Sequence, residues 1–554
     1  MKKSISFLMF ASAVMAVVSC SSPEKMKKNA DKVSVSCDPQ VLEVVAGEIE
    51  ARYTVVFPQK YFHPKAVLEL TPVLVYDGGE VAAEPKLLQG EKVNGNYTVI
   101  VKDGGKVTQP VKFAYKPGVE KSELVLRATL VKGDKRIAFD KPYKLADGAI
   151  VTSTLADADG VPALAANKYQ KVITQTKEAQ IKYQVNSATV RSAELSKKEV
   201  KELRDFLAAV DTDPRKTAKG LTVTSAASPE GPLNVNTPLS SNRGKTAQSA
   251  LSTLTKKIKT KTPVNVNSIG EDWDGFRELV SNSDLKDKNL ILSVLSMYND
   301  PLIREREIKN ISNVYVILKD KVLPDLRRSR LVAQVDVANY TDNELLDLVK
   351  SNTVEGLDVE ALLYAATLTP DNATKISLYT KAAEKFNDYR AYNNLAYAYL
   401  QNDNVSAAKT ALSKASNLND AAVKNNVGVV ALREGRISDA VKAFTESGSP
   451  EAGLNLGTTD IINGNYKSAL NRLKGSNSYN EALVNVLAGD LTQASSLLSN
   501  SNDGSAEYLQ AVIAARKGNC TSVSALLLKA IAKNPDLKVR ALKDIEFAKC
   551  NLSL

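Results

Sequence analysis

Between residues 33 and 150 apolar and polar positions alternate with a period of two, in short runs rich in β-branched and aromatic residues. ARYTVVF (51–57), TPVLVY (71–76), NYTVIV (96–101), VKFAY (111–115) and SELVLRATLV (122–131) each read as a strand. Asp77-Gly78-Gly79 and Asp103-Gly104-Gly105 supply the tight turns between them. The regular spacing predicts an N-terminal all-β sandwich over 33–150. Residues 151–168 lose this period and gather Ala, Asp, Gly and Pro, the composition of a linker.

The pattern then becomes mixed α/β. Ile181, Tyr183 and Val185 alternate as in a strand, and LSKKEVKELRDFL follows with helix signals. Ser196 is placed as the cap, Glu199 completes a capping box, Leu195 staples against Val200, and Val200, Leu203 and Leu207 form an apolar stripe. Further strands are predicted in LTVTSAA (221–227), VNVNS (264–268) and LRRSRLVAQVDV (326–337). A helical insert at about 271–320 separates the last two; it carries Trp273, the only tryptophan, read as a core anchor.

From about residue 358 the chain is alanine-rich and self-similar. Ala396, Gly428 and Gly457 are each followed twelve residues later by Ala408, Ala440 and Ala469, and four residues beyond by Leu412, Phe444 and Leu473. Weaker copies pair Ala482 with Ala494 and Ala511 with Val523. This is the small-residue spacing of tetratricopeptide repeats, shortened by block offsets of 32, 29 and 25 residues, and it predicts an all-α solenoid over 341–554. A solenoid offers a concave surface to a peptide or a folded partner. Asn394, Asn425, Asn426 and Asn455 fall on the first helices of the repeats, where amides facing the groove would grip an extended backbone.

The N-terminus sets the compartment. Lys2 and Lys3 precede an apolar run from Ile5 to Val18, which has the form of a secretory signal and is too short to span a membrane. Val17-Val18-Ser19-Cys20 resembles the lipobox of bacterial lipoproteins. The resemblance implies a signal peptide over 1–19, acylation of Cys20, a tether over 20–32 and lipid anchorage to the outer membrane, with most of the chain facing the periplasm. In that oxidising compartment Cys520 and Cys550 are candidates for a disulfide, the alternative being two buried thiols. One histidine, His63, and few thiols leave no zinc site and no Ser-His or Cys-His pair, so no metal, cofactor or catalysis is expected. The net charge of +11 is spread along the chain and suits wall polymer or lipid head groups, whereas export argues against nucleic acid.

The segment SPEGPLNVNTPLSSNRGKTAQSAL (228–251) carries the most specific motif. Ser240 reads as an N-cap, which would place Arg243 in the first turn of a helix, beside free N–H groups that favour a planar anion. Asn236, Leu239, Ser240 and Arg243, with Gly244, Ala247 and Leu251 beyond, resemble the peptidoglycan-associating motif of the OmpA C-terminal family, with Gly231 as its turn glycine. The resemblance covers 169–340 and implies an OmpA-like α/β domain in which an acid and the motif arginine clasp the diaminopimelate of a peptidoglycan stem peptide. The acid's position is occupied by Ser228, with Glu230 two residues on as a substitute. The expected protein is therefore a non-catalytic outer-membrane lipoprotein that docks on peptidoglycan and recruits an envelope protein through its solenoid. The rival is an accessory or assembly factor whose OmpA-like domain binds protein instead.

Overall fold

The computed structural model of the chain describes residues 23–415 and 419–554, so the signal segment and Cys20 lie outside the described residues. Two compact units are present. One combines the N-terminal part up to Ala166 with Asp371–Leu554, and the other, Asn167–Pro370, is inserted between those halves.

Among the described residues the N-terminal part holds eleven strands: β1 (Ser34–Asp38), β2 (Val41–Val45), β3 (Glu48–Phe57), β4 (Val67–Tyr76), β5 (Gly79–Ala82), β6 (Lys86–Gly90), β7 (Thr98–Ile100), β8 (Gly105–Ala114), β9 (Ser122–Lys132), β10 (Lys135–Ala138) and β11 (Tyr143–Ile150). Their hydrogen-bonded order is β1-β3-β2-β11-β9-β4-β6-β7, with β8 on β3, β5 on β4 and β10 on β9. The period-two pattern has its physical cause in β3, where Ile49, Ala51, Tyr53, Val55 and Phe57 point inward while Glu50, Arg52 and Val56 stay exposed. Those side chains meet Leu68, Leu70, Leu124, Leu126 and Leu130 in one core. A parallel pairing of β2 with β11 joins the two halves of the sheet.

The inserted unit is built on β12 (Val172–Lys182), β13 (Lys216–Ala227), β14 (Val264–Glu271) and β15 (Arg328–Ala338). Their order is β12-β15-β13-β14, with only β13 and β14 parallel. Helices Lys198–Ala208 and Leu233–Leu254 contribute Val200, Leu203, Leu207, Ala247 and Leu251 to a core with Ile181, Val223 and Leu331. The first helix starts one residue later than the capping box predicts: Lys197 is its N-cap, and the Ser196 hydroxyl donates instead to the Ser192 carbonyl of a preceding helical turn. Between β14 and β15 the insert folds into helices from Trp273 to Lys321 around its own core of Phe276, Val280, Ile291, Leu295 and Leu318.

This unit extends past the predicted boundary at 340 to Pro370. The reason is local: Tyr169 stacks on Tyr364 at 4.6 Å, and Lys171 pairs with Asp342 at 2.8 Å, so helices Asp342–Lys350 and Val359–Leu368 belong to the start of the unit rather than to the repeats.

The solenoid consists of helix pairs: Tyr389–Gln401 with Val405–Ala415, Ala421–Arg433 with Ile437–Ser447, Pro450–Ile462 with Tyr466–Leu473, Tyr479–Ala488 with Leu491–Leu497, and Gly504–Arg516 with Cys520–Lys533. The small-residue spacing works as close packing. A Cβ on Gly428 would lie 2.5 Å from the Phe444 ring, and one on Gly457 would lie 2.6 Å from Leu473. The first helix of each pair therefore touches the second at the positions the repeat marks. Cys520 and Cys550 are joined by a disulfide, with Cα atoms 5.2 Å apart, and Cys37 is free and buried. A short turn, Thr152–Leu155, links the sheet to the end of the solenoid: Ser153 donates to the Val44 carbonyl at 2.6 Å and Thr152 to the Glu546 carboxylate at 2.5 Å.

Candidate functional site

Two places gather the residues singled out in the sequence. The first surrounds Arg243. Helix Leu233–Leu254 begins directly after Pro232, seven residues before Ser240 and ten before Arg243, so neither residue is where the cap reading put it. Ser240 lies inside the helix, donating to the Thr237 carbonyl at 2.8 Å and accepting the Gly270 N–H at 3.2 Å. Asn236 instead stabilises the entry: its amide reaches the carbonyls of Ser228 (3.1 Å) and Gly231 (2.8 Å) and the Glu271 carboxylate (2.9 Å). Leu239 is half-buried, and Gly244 lets the helix approach β14, since a Cβ there would meet Val266 at 2.8 Å.

The earlier start carries Arg243 well into the helix and turns it onto the sheet. Its side chain is 1% exposed. The guanidinium donates to three main-chain carbonyls, Ser187 (3.0 Å), Ala226 (2.8 Å) and Gln184 (3.2 Å), and its central carbon lies 5.0 Å from the Tyr183 ring. Burial pulls its pKa down to about 10, because removal from water disfavours the cation, and the neighbouring Tyr183 and Glu230 offset this only in part. The Tyr183 hydroxyl closes the arrangement by donating to the Arg243 carbonyl at 3.0 Å.

Neither residue proposed as the acidic partner faces the guanidinium as a free group. Ser228 is buried and donates to Glu230 at 2.7 Å, while Glu230 pairs with Arg327 at 2.9 Å. Lys309, on the insert, donates to the Glu230 carbonyl at 3.2 Å. Arg328, next to Arg327 in the chain, forms a buried pair with Asp272 at 2.9 Å. Glu271 is buried too, accepting from Asn236 and from the Trp273 indole at 2.9 Å, and burial raises its pKa. The space between Pro229, Trp273, Phe276 and Tyr315 amounts to about 10 Å³, no more than one water's worth. Trp273 thus packs against Phe276 and anchors a carboxylate. Among the described residues no group of three or more His, Cys, Asp or Glu is placed to hold a metal, and no helix is long and apolar enough to cross a membrane.

The second place is the solenoid face formed by the first helices of the pairs. Asn394, Asn425, Asn426 and Asn455 all lie there and all grip an extended backbone, which is residues 157–165 of the same chain. Asn394 accepts the Ala165 N–H at 2.8 Å and donates to its carbonyl at 3.0 Å. Asn426 does the same for Ala163 (2.7 and 2.7 Å) and Asn455 for Val161 (2.7 and 2.9 Å). Asn425 adds a bond to the Val161 carbonyl at 2.9 Å. Two asparagines that sequence reasoning missed complete the row: Asn393 donates to Ala163, and Asn480 pairs with both groups of Asp157. Asn393 stands beside a residue already singled out, and Asn480 occupies the position two before Ala482 that Asn394 and Asn455 occupy before Ala396 and Gly457. Arg433 holds the Asp159 carbonyl at 2.7 Å.

The segment read as a linker is therefore an ordered strap. Gly160 adopts a left-handed φ of +69°, and a Cβ there would lie 3.3 Å from Val429, so both conformation and space select glycine.

No family model and no curated protein matches the chain. Solved structures similar to part of it include a tetratricopeptide repeat protein from Parabacteroides merdae, 13% identical, covering 37% of this chain and 91% of that one with a TM-score of 0.29. Another is YrrB, described as a TPR protein with an unusual peptide-binding site: 23% identity, 30% and 97% coverage, TM-score 0.24. PilF of Pseudomonas aeruginosa is 15% identical over 38% and 98%, with a TM-score of 0.27.

Proposed function

We propose that the chain is a non-catalytic scaffold of the bacterial outer membrane, tethered by a lipid on Cys20 and facing the periplasm, which serves as an accessory or assembly factor. In this reading the inserted unit is an OmpA-like domain that engages protein. Its strand order, first-last-second-third, and the motif helix after its second strand support that kinship.

Arg243 carries the choice of protein over peptidoglycan. A stem-peptide carboxylate needs an accessible guanidinium fork and the ligand's ammonium needs a free acid. Here the fork is buried among three carbonyls, Ser228 has no charge, and Glu230 is paired with Arg327. The insert presents Leu290, Met297, Leu302 and Val316 as exposed apolar side chains, which suits a protein contact.

Co-sedimentation of the full chain with purified sacculi tests this reading. The expected result is no pelleting above a control protein of similar charge. Saturable pelleting, competed by free stem peptide, would restore wall docking.

A further inference from the structure

The occupied solenoid face shows what it is built to hold. The asparagine contacts go to main-chain N–H and C=O groups of the strap, and three of the residues held are 161, 163 and 165. Groups on one edge of an extended chain recur every two residues, so successive repeats read one edge of a single strand. Pro162 lies between two of the residues held, where its missing N–H leaves no bond unmade.

Side chains matter only through size. Ala163 and Ala165 are buried and pack with Ala422, so a larger side chain at either position has to displace its neighbours, while Val161 and Leu164 are exposed. The grip is therefore generic for backbone and selective for small residues at alternate positions. Among the described residues hydrogen bonds join strap and helices without a disulfide between them, so its chemistry is that of a peptide complex in which the peptide is tethered.

Resting on the scaffold reading, we infer that residues 157–165 are a built-in competitor, and that the partner bound on this face is an extended protein segment with Gly or Ala at alternate positions that exchanges with the strap. The tether keeps the strap at a local concentration on the order of millimolar. A partner succeeds only when it is held nearby by another contact, so the face stays closed to free peptides and opens to an assembled complex.

The probe is a fluorescent peptide carrying residues 156–167, added to the full chain and followed by anisotropy. The wild type should bind weakly. A variant with Ala163→Trp and Ala165→Trp, whose own strap no longer fits, should bind at least about tenfold more tightly. Adding Asn426→Ala should reverse that gain, and a peptide with the same two tryptophans should not bind. A variant with native circular dichroism that binds no better than wild type would overturn the inference.

Should the double variant not fold, hydrogen exchange on the wild type decides. The amides of Val161, Ala163 and Ala165 must lose protection with the peptide at about 1 mM, and unchanged protection overturns the inference. Failure here leaves the scaffold reading standing, because sedimentation with sacculi decides that independently.

Discussion

Asn426 holds Ala163 by both of its main-chain groups, with the Ala163 N–H donating to Oδ1 at 2.7 Å and Nδ2 donating to the Ala163 carbonyl at 2.7 Å. The carbonyl has a second donor in Asn393, whereas the buried N–H has no other partner among the described residues. Asn426→Ala should therefore cost about 2 kcal/mol, the penalty for one orphaned buried donor with its lost bonds. Asn455→Ala should cost less, about 1 kcal/mol, because Val161 is exposed and water replaces the amide. Denaturant unfolding of the two variants checks the order, and equal losses would contradict it.

Arg243→Ala leaves three carbonyls and a cavity behind, for an expected loss of about 3–5 kcal/mol in the inserted unit. Arg243→Lys should recover part of it, since an ammonium keeps the charge but not the planar fork. Thermal unfolding followed by Trp273 fluorescence reads both, and an undiminished melting temperature for Arg243→Ala would show the guanidinium to be dispensable.

Gly428→Ala and Gly457→Ala should each destabilise the solenoid by about 1–3 kcal/mol through overpacking against Phe444 and Leu473. Gly453→Ala, in the same helix as Gly457 but with open space around its Cβ position, should stabilise by up to about 1 kcal/mol. Calorimetry on the three variants separates close packing from helix propensity.

Glu271 gives the inserted unit a pH signature. Burial raises its pKa in the folded state, so folding favours the protonated acid. Stability contributed at this site is lowest above the folded pKa and rises as pH falls through it toward the unfolded value. Relative to Glu271→Gln, which does not titrate, the wild type should gain stability between pH 7 and pH 5. A difference that stays constant or moves the other way would argue against a raised pKa.

The Cys520–Cys550 bridge closes a loop with a sequence separation of 30, which corresponds to about 3.6 kcal/mol in the chain-entropy account. Cys520→Ser with Cys550→Ser, or a reductant, should lower the unfolding free energy by about that amount and bring the denaturation midpoint down with it. Free-thiol titration under denaturing conditions, before and after reduction, checks that the bond was present.

Much of the architecture was legible because it depends on periods that side chains impose. Alternation marked β3, and glycine or alanine twelve residues before a second small residue marked the helix contacts, since a larger side chain at Gly428 or Gly457 collides. The helix around Arg243 was misplaced because Pro232 and Ser240 are both acceptable starts, and only the tertiary bonds of Asn236 choose the first. Eight extra residues of helix, Leu233 to Ser240, turned a side chain expected at an open entrance toward the sheet. The asparagines were visible as a row, yet their ligand was not: main-chain groups leave no mark in a sequence, and Ala-Asp-Gly-Pro composition reads the same whether a segment is loose or laid on a helical face.

The strap also sets an order of events in biosynthesis. Residues 161–165 emerge well before Asn394, Asn426 and Asn455, and the pairing of Asp157 with Asn480 spans 323 positions of chain. Closing contacts so remote is entropically slow, so a nascent polypeptide carries this stretch bare until nearly all of its repeats have left the ribosome. A copy truncated before residue 390 never covers it, which makes resistance to a protease cutting near Leu164 a direct mark of completed synthesis.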